Sequence, residues 1–344
     1  MPNDILGWDI GGANLKAARI NAAGAVAAVV QIPCPLWRGL PELALAMQSA
    51  FEFVGTNQWH ALTMTGEMVD LFPNRSAGVI EIARFVGAIL GDADAGVFCG
   101  DGQFASINEV ADVTEKIASA NWLASAEYLA SQTHTGIFVD IGSTTTDIVA
   151  IVDGKPQYRG RDDYSRLVSG ELVYSGVSRT PLMAIVDHVQ FCGDEVAVIA
   201  EYFASMADVY RVLGQLPENV DQQPTADGAE KTQLASARRI ARMIGRDLES
   251  HSMDKWSELA SAFRSAQLTK INRGIDAILT RASLPSGTPI FGAGVGEFIV
   301  REIAHERASD YRSFGQLCKI EGPSEEAVTH VAPASAVALL AHRR

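Results

Sequence analysis

The sequence predicts an α/β fold of two related lobes around a central cleft, and three observations carry that expectation. Residues 5–20 and 136–151 share one pattern, with Asp9 aligned on Asp140, Gly11 on Gly142 and Lys16 on Asp147 at a constant offset. The chain has 344 residues, which at roughly 150 residues per domain is room for two domains, each with its own core. A third glycine-rich element, residues 288–297, lies between an apolar strand and a run, 298–305, that reads as helix.

Each copy of the repeat reads as an apolar strand ending in Asp, a tight turn of Gly and small polar residues, and a second apolar strand that closes near Gly24 or near Asp153 and Gly154. That is a hairpin. A GxGxxG or Walker loop needs a helix after the glycines, whereas 15–20 and 148–152 continue as short apolar runs that suit buried strands. The first lobe is expected over 1–132, with strands near Ile5, Ala25 and Leu62 and a helix over 109–131. The second is expected over 133–344. Within it, 190–284 is rich in helix-period segments such as 195–213 and 231–248 and reads as a helical insertion capping the cleft. Residues 216–228 read as a polar, mobile connection that could act as a lid.

Charge and composition exclude several classes. With 41 Asp and Glu against 28 Lys and Arg, the net charge of −13 opposes binding to phosphate backbones, so no nucleic-acid partner is expected. Arg238, Arg239, Arg242 and Arg246 stand at helical spacing and read as a solvated face with room for one anion. The longest small-apolar run, 22–30, is broken by Gly24 and falls far short of the ~20 residues of a membrane helix. The first four residues carry no basic leader region, so a cytoplasmic protein is expected. Cys34, Cys99, Cys192 and Cys318 form no CxxC pair and the seven histidines no spaced ligand pair, which signals neither zinc nor disulfides. Buried cores in both lobes leave monomer and homodimer equally open.

The hairpin residues point to phosphate chemistry. Gly11, Gly12 and Gly142 let backbone amides approach an anion, while Asn14, Ser143, Thr144, Thr145 and Thr146 add small polar side chains. Asp9 and Asp140, at matching strand ends, suit Mg²⁺, which takes one or two carboxylates together with waters and substrate phosphates. Gly292, Gly294 and Gly296 expose backbone to a flat ligand or a helix start. Thr65, Gly66 and Glu67, and Glu171 after Gly170, stand where strands end and ligands bind in open α/β sheets. Lys155 and Arg179 are candidates for diphosphate or an acceptor carboxylate. Trp122 reads as core before site, and Asn121 as a weaker candidate still.

Asp-Ile-Gly-Gly, then Asp-Ile-Gly-Ser-Thr-Thr-Thr-Asp, then Gly-Ala-Gly-Val-Gly, in this order, resembles the actin-like ATPase superfamily. The resemblance implies two ribonuclease-H-like domains around a phosphate and metal cleft. The second segment looks like the hydantoinase A and oxoprolinase branch. More of the chain is similar to one narrower family, the methanofuran-biosynthesis synthases, known in methylotrophic bacteria as tetrahydromethanopterin-linked one-carbon transfer pathway proteins. The matching strings are residues 34–39, 63–67, 74–79, 118–122, 166–174 and 179–181, and the match runs from the N-terminus to 332–334, loosely over 190–284.

That resemblance implies a transferase joining a phenol to an aminomethyl-furanyl-methyl diphosphate, forming an aryl ether and releasing pyrophosphate. ATP is not expected; the hairpins would hold the diphosphate leaving group. The acceptor stays open among tyramine-, γ-glutamyltyramine- and tyrosine-type phenols. Within this reading Asp9 and Asp140 are the Mg²⁺ candidates, Lys16 stabilises the departing anion, and Asp147 or Asp163 takes the phenol proton. One rival is an ATP-dependent small-molecule kinase or hydantoinase-type ATPase with nucleotide at 292–296. Another is a non-catalytic nucleotide-sensing module that works by domain closure.

Overall fold

A central strand must be apolar on both faces, and the first strand of the chain is. Strand β1 (Ile5–Ile10) is buried throughout, because β2 (Asn14–Ile20) pairs with it antiparallel on one side and β4 (Trp59–Met64) parallel on the other. The computed structural model describes residues 4–56, 59–91 and 93–344. Met1, Pro2 and Asn3, on which the absence of a leader was read, lie outside that set.

The first sheet is completed by β3 (Val26–Pro33), β5 (Asp94–Gly100) and β6 (Gln103–Ser106), in the order β3-β2-β1-β4-β5-β6. Helices α1 (Leu40–Val54) and α2 (Arg75–Leu90) cover one face, packing Leu43, Met47, Val79 and Ile82 on Leu6, Trp8, Ile10 and Leu15. Asn74 caps α2 by accepting from the Ala77 amide at 2.9 Å. A short α3 (Thr114–Ile117) precedes α4 (Asn121–Ala130). The single helix expected over 109–131 is therefore broken. Ser119 stands at φ 52°, in the left-handed region, and the chain turns there before α4 begins.

The second sheet repeats the plan. Strands β7 (Thr135–Ile141) and β8 (Thr146–Val152) form a hairpin, β9 (Lys155–Gln157) and, beyond α5 (Asp163–Ser169), β10 (Leu172–Val173) pair with β8, and the order is β10-β8-β7-β13-β14. Strand β13 (Ile290–Ala293) runs parallel to β7 as β4 does to β1, and β14 (Tyr311–Ser313) flanks it. The internal repeat survives in register: Asp9 lies opposite Lys16, and Asp140 opposite Asp147. Both turns close with the same hydrogen bond, Gly11 N to Asn14 O at 3.0 Å and Gly142 N to Thr145 O at 2.9 Å. The doubled α/β architecture around a cleft is thus the one predicted.

Residues 190–284 hold more than helices. The β11 (His188–Phe191) and β12 (Asp194–Ala197) hairpin comes first, followed by α6 (Met206–Val212), α7 (Gln233–Arg242) and α8 (Met253–Arg281). A helix starting at 195 is not formed. The helix starts at Met206 behind a capping box of Ser205 and Asp208. Together with α9 (Glu297–Glu306), α8 packs Phe263, Ile271 and Ile275 over the far face of the second sheet, against Ile137, Val139 and Ile148. Arg239, expected on a solvated face, is fully buried and bonded to Asp208 and Asp227 at 2.8 and 3.0 Å. The helix turns that arginine inward because two carboxylates wait there.

After α10 (Glu325–His330), the chain returns to the first sheet with α11 (Ala332–His342). Helices α4 and α11 form a layer between the sheets, joining Ile5, Ala61 and Phe98 of the first to Phe138, Val149 and Phe291 of the second in one core. The approach is close enough that a Cβ on Gly7 would lie 2.0 Å from the Ala334 carbonyl oxygen. Among the described residues no helix is long and apolar enough to cross a membrane.

Candidate active site

The two hairpin turns face each other across a cavity of about 290 Å³. The first contributes Asp9, Gly11, Gly12, Asn14 and Lys16, with Thr65 from the end of β4. The second contributes Asp140, Gly142, Ser143, Thr144, Thr145 and Asp147, and Asp163 and Arg179 complete the set. The duplicated hairpin places the two aspartates, which β1 and β7 deliver near their C-terminal ends, whereas Asp163 comes from the start of α5 and Arg179 from the loop after β10.

Charge is unevenly matched. Asp147 is held by Arg166 at 2.7 Å and Asp163 by Arg75 at 2.6 Å. Lys16 lies 3.4 Å from Asp9, and among the described residues Asp140 has no ion pair. One lysine thus faces two buried carboxylates. Burial raises the Asp9 carboxyl above its ordinary value, with Lys16 opposing. It raises Asp140 to about 7, again against Lys16 and helped by the negative charges of Asp147 and Asp9. Asp147 is raised by burial too, with Arg166 opposing. The surplus of buried carboxylate is the complement of a divalent cation. Among the described residues no group of three or more His, Cys, Asp or Glu side chains is placed to hold a metal. Two carboxylates plus substrate oxygens is the donor set that Mg²⁺ accepts.

Several candidates stand elsewhere. Thr146 is buried and donates to Ser175 O at 2.7 Å. Lys155 is exposed on β9, away from the cavity. Glu171 is buried, accepts from the Arg159 amide at 2.8 Å and pairs with Arg281. Gly66 packs beneath the first turn, against Leu36 and Ile10 O. Glu67 is buried behind the cavity wall, where it accepts from Ser119 Oγ at 2.8 Å while its Oε2 has no partner; burial lifts its carboxyl to about 7. The glycines of the third element are buried. Gly292 packs on Tyr311 and Gly296 on Ile141 and Val177, leaving Val295 as the residue that reaches the cavity. Gly294 stands at φ 78°, and a Cβ there would lie 2.2 Å from Asp140 Oδ1.

Other residues reach the site as well. Asn121, the weaker candidate, places Nδ2 3.5 Å from Asp9 Oδ1. Arg166 lies beneath the cavity with Cζ 3.9 Å from the centre of the Trp122 ring, so Trp122 is both core and wall. Asn14 Oδ1, Trp122 Nε1 and Arg166 Nε are buried without a protein partner, polar atoms that a ligand or water must satisfy. The signal for these residues was present in the strings 118–122 and 166–174.

Comparison with known proteins identifies the family. The hydantoinase/oxoprolinase family model matches residues 58–343. The chain is 30% identical over 303 residues, 88% of its length and 89% of the relative's, to the (4-{4-[2-(gamma-L-glutamylamino)ethyl]phenoxymethyl}furan-2-yl)methanamine synthase of Methanocaldococcus jannaschii. It is 32% identical over 170 residues to the synthase of the same name from Methanococcus vannielii, covering 49% of this chain and 75% of that one. Among solved structures, nucleotide-free acetone carboxylase superposes with a TM-score of 0.56 at 10% identity, covering 90% of this chain and 68% of that one, a likeness of fold. The chain belongs to the hydantoinase/oxoprolinase family, in the branch of the methanofuran-biosynthesis synthases.

Proposed function

We propose that the protein is a cytoplasmic transferase that condenses an aminomethyl-furanyl-methyl diphosphate with a phenolic acceptor, giving an aryl ether and pyrophosphate. The observation that carries this reading is the pair of facing hairpin turns, whose glycines and hydroxyl side chains surround two buried aspartates served by one lysine. Such a site suits a diphosphate arriving with a divalent cation. The relatives' printed name supplies the product class, a phenoxymethyl-furanyl-methanamine.

In this reaction the furfuryl C–O bond breaks and its electron pair leaves on the diphosphate oxygen, while the phenol oxygen forms the new C–O bond and loses its proton. Mg²⁺ held by Asp9 and Asp140 would neutralise charge on the departing diphosphate. Lys16, the Gly12 amide, and the hydroxyls of Ser143, Thr144 and Thr145 stabilise the same oxygens, preorganised and partly screened from water, while the Gly11 and Gly142 amides hold the two turns closed. Asp147 or Asp163 takes the phenol proton: both border the cavity, each is paired with an arginine, Arg166 at 2.7 Å and Arg75 at 2.6 Å, and burial raises the Asp147 carboxyl. The reading needs no nucleotide, and the closed packing of Gly292, Gly294 and Gly296 supports that.

The test is incubation of purified protein and Mg²⁺ with the furanyl-methyl diphosphate and tyramine, γ-glutamyltyramine or tyrosine, with mass spectrometry for the ether, an assay for pyrophosphate, and an ATP-hydrolysis control. Ether and pyrophosphate in equal amounts without ATP cleavage is the expected result. Substrate-stimulated ATP cleavage with no ether would replace this reading by an ATPase.

A further inference from the structure

Asp9 is approached from two sides. Its Oδ2 faces Lys16 Nζ at 3.4 Å and its Oδ1 faces Asn121 Nδ2 at 3.5 Å, so the plane of the carboxylate depends on where Asn121 stands. Asn121 is the first residue of α4, and its own Oδ1 accepts from the Trp122 amide at 2.8 Å. The start of that helix is set two residues earlier. Ser119 takes φ 52° and Ala120 leads directly into α4, so a drift at Ser119 would carry Asn121 with it.

Glu67 holds Ser119 in place. Ser119 Oγ donates to Glu67 Oε1 at 2.8 Å. Ser119 borders the hairpin cavity, whereas Glu67, 1% exposed, stands behind the wall that Ser119 completes. The segment leading to Glu67 is registered to the first hairpin: the Thr65 amide donates to Ile10 O at 3.0 Å, and Gly66 packs on Leu36 and Ile10 O. From the other side α2 closes over the side chain, near enough that a Cβ on Gly78 would lie 2.9 Å from Glu67 Cβ. The contacts make a ring that leaves β1 at Ile10, passes through 65–67, Ser119 and Asn121, and returns to β1 at Asp9. Two local costs fall on this ring. A serine stands in the left-handed region, and a buried carboxyl leaves its Oε2 without a partner among the described residues. Costs of this kind persist where the surroundings over-determine them, and they gather at functional sites.

We infer that Glu67, acting through Ser119, is a positioning residue: it holds Asn121 against Asp9 and so fixes how the Asp9 carboxylate is presented to the cavity. The inference rests on the synthase reading proposed above, in which Asp9 holds Mg²⁺. Removing a group that orients a metal-binding side chain costs about ten- to a hundredfold in metal affinity or activity. The property required of Glu67 is an oxygen that accepts from Ser119, which a glutamine side chain also offers.

The experiment compares the wild type with Ser119→Gly, Glu67→Ala, Glu67→Gln, Asn121→Ala and the Ser119→Gly, Asn121→Ala double variant. Steady-state ether formation is measured beside calorimetric titration with magnesium pyrophosphate, with thermal unfolding as the check on folding. Ser119→Gly is the decisive variant, because glycine takes φ 52° freely and only the hydroxyl is lost. It is expected to lower kcat and to weaken magnesium pyrophosphate binding, each by about tenfold, with the KM for the phenol unchanged. Glu67→Ala should match it, and Glu67→Gln should restore both readouts to within about threefold of the wild type. The double variant should lose no more than about twofold beyond Asn121→Ala alone, since residues acting in series do not add. A folded Ser119→Gly protein with wild-type kcat and pyrophosphate binding would overturn the inference, as would losses that multiply in the double variant, or a Glu67→Gln protein as impaired as Glu67→Ala. No ether from the wild type, with magnesium pyrophosphate bound and that binding weakened by Ser119→Gly, would overturn the synthase reading and support the positioning role.

Discussion

Asp140 and Asp9 carry the argument at the scale of single residues, since their burial beside one lysine is what makes a divalent cation and a diphosphate fit. Asp9→Asn and Asp140→Asn are each expected to lower ether formation by about 10²- to 10³-fold, with a weakened response to Mg²⁺ titration; full activity in both would remove them from the metal site. Lys16→Ala should reduce turnover by about tenfold or more through poorer leaving-group stabilisation, read from kcat at saturating substrate. Glu67 makes a prediction of a different kind. Its folded carboxyl sits at about 7 against an ordinary 4.5, so the native state binds the extra proton between those values. Stability attributable to this group is therefore full below about pH 4.5, falls as pH rises through the window, and is lost above about 7. Glu67→Gln should flatten that slope, on the order of 3 kcal/mol between pH 4.5 and 7.5 by urea unfolding, and an unchanged slope would show that Glu67 does not titrate there. These aspartates were legible because a repeat in register marks both copies at once. Asn121 was legible only as a weak candidate and Arg166 not as a site residue, since each reaches the cleft only through a fold in which α4 and α5 meet the hairpins.

Elements were legible in proportion to how locally they are determined. The hairpins announce themselves through apolar runs and glycine turns, and the structure keeps both. Residues 109–131 and 195–213 carry helical periodicity that tertiary contacts override. In the first, Ser119 turns the chain so that its Oγ meets Glu67 and Asn121 meets Asp9. In the second, the Ser205–Asp208 capping box was the local signal for a later start. The glycine-rich element looks alike in sequence whether its backbone faces a ligand or a neighbouring strand, so only the packing decides. Gly294→Ala is accordingly expected to destabilise the protein by on the order of 2–4 kcal/mol in chemical unfolding, because the new Cβ meets both an unfavourable φ and the Asp140 carboxylate. A variant as stable as the parent would mean that this loop has room to move.

At the scale of the molecule, the two lobes are joined across the mouth of the cleft by the Arg75–Asp163 pair and by the glutamines of the 216–228 segment. No sequence pattern encodes such contacts, since their partners stand 88 and about 200 residues apart. Arg75→Ala is expected to loosen closure by a few-fold, an effect of about 1 kcal/mol for a partly buried pair. It should be seen as faster amide exchange in the turns 11–14 and 142–145 when no substrate is present; identical exchange would assign closure to the 216–228 segment. The return of α11 to the first sheet has a kinetic consequence. During synthesis the β1 face near Gly7 must wait, uncovered, until residues 332–342 have left the ribosome, so the first lobe is the last to be finished. A nascent chain truncated before Ala332 would present that apolar face to chaperones, and a Gly7→Val substitution would keep the full-length chain in the same state, because the helix could no longer seat.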